Sequence, residues 1–118
     1  MNNVIIKDDI ENLIYEIRGK QVMLDSDLAR LYECKNGTKD INKAVNRNLE
    51  KFPSDFYFQL TDVEYKNLRF QIGTTKGMNM SRTLPHVFTE QGVAMLASVL
   101  RTSIAAEVSV NIIRIRNN

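Results

Sequence analysis

Between Thr38 and Lys51, polar side chains recur at helical spacing: Lys39, Lys43, Asn46, Arg47 and Glu50 share one side, with Asn42 and Lys51 on its flanks. These residue types suit a nucleic acid. Lysine and arginine neutralise phosphates or bond the edge of guanine, and an asparagine amide matches the donor–acceptor pair of adenine. The other side carries Ile41, Ala44, Val45, Leu49 and Phe52 at a period of 3.6 residues, a stripe able to bind the helix to a core. An ordinary solvated helix face has the same pattern, so spacing alone leaves both readings open. Asn48 falls on the apolar side, where an amide must find a partner. It is expected to bond nearby backbone and not a base.

A second candidate is the polar stretch Gly73 to Thr83, in which Lys76 and Arg82 flank Asn79 and Ser81. It could lie as a wing against a DNA backbone, or be a plain surface loop.

Other chemistries lack their parts. Gly73-Thr74-Thr75-Lys76-Gly77 does not have the spacing of a phosphate-cradling loop. One histidine, His86, and one cysteine, Cys34, make a poor start on a metal site. No nucleophile elbow accompanies His86. Asp8 and Asp9 sit in an acidic stretch with no sign of a cleft, and Met78 and Met80 need no cofactor to explain them. No catalytic residue, metal or cofactor is therefore expected. Cys34 reads as a small core residue.

Net charge is only +2, but its distribution is uneven. Up to Ile17, Lys7 stands against Asp8, Asp9, Glu11 and Glu16; from Arg18 to Lys51, eight lysines and arginines stand against five acids. A basic middle is the electrostatic footprint of a phosphate-binding surface. A single cysteine and no visible signal peptide point to a reducing, cytoplasmic setting. No apolar run approaches the roughly 20 residues of a membrane span.

The elements that must position these residues follow from local signals. Leu13 to Ile17 and Val22 to Leu24, split by Gly19-Lys20, read as a β-hairpin. Asp25-Ser26-Asp27 starts a helix with Leu28, Leu31 and Tyr32 on its stripe, ending near Cys34. Lys35-Asn36-Gly37 turns the chain, Thr38 caps the next helix, and Pro53 ends it after Lys51. Two short helices joined by a glycine-containing turn form a helix-turn-helix pattern. Phe56 to Leu60 is a strand. Thr61 and Glu64 form a capping box for a helix to about Gln71, with Val63, Leu68 and Ile72 among its apolar positions. Leu84 to Phe88 is a strand that Pro85 places at a sheet edge or makes begin there. Helices from Glu90 to Leu100 and Ile104 to Ile115 close the chain. The class is α+β, with segregated elements in a single small domain.

Three blocks carry a family resemblance: Ile17 to Tyr32 (IRGKQVMLDSDLARLY), Asn46-Arg47-Asn48 with Phe52 to Leu60 (FPSDFYFQL), and Leu84 to Leu96 (LPHVFTEQGVAML). Together they resemble the ORF-six-N domain family across about residues 14–116. That family is similar to the KilA-N and Bro-N domains of bacteria, prophages and large DNA viruses. The resemblance implies one DNA-binding domain over residues 1–118, of the kind found in prophage antirepressors and transcription regulators, with double-stranded DNA as partner. It brings no catalytic residues. It adds weight to Arg47 and Asn48, which match the family's Arg-Asn block. Family members commonly continue into a further C-terminal region, so the chain is expected to be an N-terminal piece or to lack that part. The turn Glu33 to Thr38 is longer and more polar than the family's usual version, which bears on the angle between the two helices.

A competing expectation is a protein-interaction module that engages a repressor or forms a homodimer. Its candidate surface is the apolar last helix, with Val108, Ile112, Ile113 and Ile115. A small nuclease is disfavoured by the lack of an acidic metal cluster.

Overall fold

The computed structural model describes residues 7–72 and 83–117. A short helix α1 (Lys7–Glu11) leads into a hairpin of β1 (Tyr15–Ile17) and β2 (Lys20–Leu24). Helices α2 (Asp25–Leu31) and α3 (Thr38–Asn46) follow, then a 3-10 turn (Leu49–Lys51) and β3 (Tyr57–Gln59). Helix α4 (Asp62–Ile72), strand β4 (His86–Phe88) and helices α5 (Glu90–Leu100) and α6 (Ser103–Arg116) complete an α+β fold.

The hairpin loop is Arg18-Gly19, one residue earlier than the sequence suggests, and both residues have positive φ, 57° and 73°. Positive φ at both loop positions matches the right-handed twist of the flanking strands. The register Tyr15↔Val22 and Ile17↔Lys20 follows from it.

The four strands form one antiparallel sheet in the order β1-β2-β4-β3. Strand β4 is therefore interior, and Pro85 stands just before it, where no ladder donor is needed. Alternation splits the sheet into two faces. Met23, Tyr57 and Phe88 point to a large core with Ile10, Leu28, Ile41, Val45, Val93, Leu96, Val108 and Ile112 from the helices. Val22, Leu24, Phe58 and Val87 point to a smaller core closed by Leu60 and Leu68.

Two residues at apolar helix positions, Val63 and Leu49, lie outside the cores. Val63 is 67% exposed. The Thr61–Glu64 capping box forms as expected, with Thr61 N–H to Glu64 Oε1 at 2.8 Å and Glu64 N–H to Thr61 Oγ1 at 3.1 Å. With the start of α4 fixed and Leu68 inward, Val63 lies about 140° away around the helix. Leu49 is 57% exposed because α3 ends before reaching it. Ile72 is within α4, but its side chain lies outside the described residues.

Helix α5 meets the sheet closely. Thr89 caps it, accepting from Gly92 N–H and donating to the Asp55 carbonyl at 2.9 Å. A Cβ at residue 92 would collide with the Phe56 carbonyl oxygen, so only glycine allows this approach.

Candidate nucleic-acid interface

Helix α2 does not begin with a side-chain cap. Leu24 occupies the cap position, and Asp25 is the first helical residue. Its buried carboxylate ties helix to sheet, accepting from Ser26 N–H at 2.8 Å and from His86 N–H at 3.2 Å. Burial raises the Asp25 carboxyl above its ordinary value, and the hydrogen bonds pull it back. Asp27, also buried, is raised by burial against the pull of Arg30. His86 lies flat on Tyr57 with ring centroids 4.9 Å apart. Burial lowers its pKa from 6.5, so it is neutral at pH 7, and its 3.9 Å approach to Asp25 is not an ion pair there. Sequence reasoning missed this cluster. The one available signal is pairing: with Leu24 opposite Val87, Asp25 falls opposite His86.

At the other end, α2 stops on a Schellman motif. Glu33 takes positive φ, 57°, Cys34 N–H reaches the Ala29 carbonyl at 2.9 Å and Glu33 N–H that of Arg30 at 3.1 Å. Tyr32, the last residue before the turn, shares a 2.6 Å hydrogen bond with Ser109 of α6. Burial pushes its pKa up to about 12. The helix pair is thus pinned to the fold at both ends of α2.

The turn before α3 is held by Asp40, not by Thr38. Gly37 is the cap residue, at φ 62° and ψ −139°, a conformation open to glycine. The Asp40 carboxylate reaches back to Asn36, accepting from its backbone N–H at 3.1 Å and its Nδ2 at 3.2 Å. These bonds lower the Asp40 pKa. Cys34 is half-buried, and burial followed by Asp40 pushes its thiol above 9.0, as befits an inert side chain.

Helix α3 is shorter than its sequence pattern suggests, ending at Asn46 instead of Lys51. Asn48 stops it. Its φ is −138°, and its Nδ2 donates to the Ala44 carbonyl at 2.8 Å, the backbone role expected of it. Phe52 then turns inward to meet Tyr57 and Phe88 edge-on. Ile41 and Val45 are fully buried and anchor the helix, each worth about 2 kcal/mol.

The outer side of α3 keeps Lys39, Asn42, Lys43 and Asn46 exposed along about 11 Å of helix, with Arg47 exposed at its end. Among the described residues, none of these five side chains has a hydrogen bond or ion pair. Lys51 is exposed too, but on the 3-10 turn and off that helical face. Lys76 and Arg82 lie outside the described residues.

Three cations elsewhere are engaged. Arg18 binds both oxygens of Glu64, at 2.7 and 3.0 Å, and covers the Phe58 ring. Arg30 pairs with Asp27, and Arg116 bonds Gln21 and approaches Glu90. On α6, Val108 and Ile112 are buried in the domain's own core, and Ile113 and Ile115 are half-buried, so the surface expected of that helix is largely consumed. Among the described residues there is no group of three acidic, histidine or cysteine side chains able to hold a metal. Nor is any helix among them long and apolar enough to cross a membrane.

Fold and face together define an α+β domain in which two consecutive short helices, α2 and α3, pack over the sheet's larger core and α3 presents an exposed basic side. Residues 12–99 match the ORF6N domain, and the chain belongs to that family. The matched stretch includes α2 and α3 and stops short of α6. No curated protein and no solved structure matches the chain.

Proposed function

We propose that this chain binds double-stranded DNA, with α3 as the element that enters the major groove, in a prophage-type regulatory protein. The observation that carries this reading is the grouping of exposed basic and amide side chains along one face of α3. Lys39, Lys43 and Arg47 are exposed and make no close ion pair or hydrogen bond among the described residues, while Arg18, Arg30 and Arg116 are occupied by Glu64, Asp27 and Glu90. Side chains held in water by a rigid helix, with asparagines between them, suit phosphate contact and base reading together. Family membership supports a regulatory role of this type. Docking on a repressor or a second copy through the last helix is less favoured, because Val108 and Ile112 already serve the core.

Fluorescence anisotropy with a labelled mixed-sequence duplex tests the proposal. Binding is expected at low salt, with affinity falling steeply as salt rises. Selection from random DNA is then expected to enrich a defined site. Absence of binding at low salt would refute the proposal.

A further inference from the structure

A groove of about 470 Å³ runs between α3 and the corner where α5 passes into α6. Its size lies within the range of small-molecule sites, roughly 300–1,000 Å³. Most of its surface is apolar, and Ala44, Val99 and Leu100 contribute to it. Lys35, Lys43 and Arg47 also line it, and none of the three has an ion-pair partner among the described residues. Two carboxylates, Glu33 and Asp40, are also present, and the bonds from Asn36 keep Asp40 ionised, so three cations against two carboxylates leave the lining with one net positive charge.

We infer that this groove binds a small amphiphilic anion, an apolar body carrying one carboxylate or similar acid. Positive charge and apolar lining meet in one groove. A bare phosphate would leave the surface of Ala44, Val99 and Leu100 unused, and a neutral apolar molecule would leave the cations unanswered. The acid group sits among Lys35, Lys43 and Arg47, and the apolar body lies against α5. The site does not depend on DNA binding. If DNA also binds through α3, the two ligands compete, because Lys43 and Arg47 serve both.

The test is an NMR titration of the full chain with 1-naphthylacetate and, separately, with its neutral amide. Saturable shifts are expected at residues 33–35, 43–48 and 99–102, with the acid binding about threefold to fivefold more tightly than the amide, the advantage of partly exposed charge pairs. Lys35→Glu is expected to abolish that preference. Shifts elsewhere, equal affinity of acid and amide, or no saturable shift in the millimolar range would each overturn the inference. Acid binding without DNA binding would uphold the groove and refute the DNA reading; DNA binding without acid binding would do the reverse.

Discussion

Arg18 and Arg47 are both exposed arginines near the ends of short elements, yet they do different things. Arg18 stands in the hairpin loop, grips Glu64 with two hydrogen bonds and lies 4.1 Å above the Phe58 ring. It closes the smaller core by joining the hairpin to α4, and it lowers the Glu64 pKa to about 2. Arg47 caps the end of α3 and holds nothing within the described residues. A cation's type and exposure therefore say little about its role. What separates framework from face is whether the charge already has a partner.

That contrast predicts two classes of variant. Framework changes cost stability, and face changes cost binding. The largest effect is expected from Gly92→Ala, which forces α5 away from the Phe56 carbonyl and costs about 3 kcal/mol in a urea unfolding series. Asp25→Ala comes next, leaving the N–H groups of Ser26 and His86 without their acceptor, at about 2 kcal/mol by the same measurement. Lys43→Ala and Arg47→Ala are expected to leave unfolding within about 0.5 kcal/mol of the parent. Each should weaken DNA binding and flatten the slope of log affinity against log salt by about 0.9 if it removes one phosphate contact. Arg18→Ala is expected to leave that slope unchanged while the Glu64 pKa returns toward 4.5 in an NMR pH titration. A change of slope in Arg18→Ala, with none in Arg47→Ala, would dissolve the distinction.

The framework also responds to pH. The folded pKa of His86 is depressed, so its contribution is present above 6.5 and is lost as pH falls through the lowered value. Asp25 and Asp27 are raised, so their ionised forms cost stability at neutral pH, and that cost is relieved as pH falls through their raised values. Glu64 runs the other way from the aspartates: its contribution is present above 4.5 and is lost as pH falls through about 2. The smallest effect is expected from His86→Phe, which keeps the stack on Tyr57 and removes the decline in melting temperature just below pH 6.5.

Part of the local chemistry was readable from the sequence, although the caps expected at Asp25 and Thr38 did not form, and long-range chemistry was not. The Thr61–Glu64 box and the hairpin each depend on residues within a few positions, and both are present in the fold. The stripe of Ile41 and Val45 likewise told which side of α3 is inner. The end of α3 depended on a side chain: Asn48 bonds back to Ala44 and stops the helix, and Leu49 is left in solvent. The partner of Arg18 lies 46 residues away, so nothing near Arg18 announces it. The link between Asp25 and His86 spans 61 residues and needs the strand order before it can be seen. The exposed face of α3 was legible as a pattern, but that its side chains make no close ion pair became visible only once the neighbouring elements were in place.

In the proposed complex, α3 carries the binding face. The most direct measurement is an amide NMR titration of the chain with a mixed-sequence duplex at low salt. The account predicts shifts concentrated from Thr38 to Asn48, reversed by added salt, with α4 and the hairpin silent. Shifts centred on α4 or the hairpin, or no shifts at all, would contradict it.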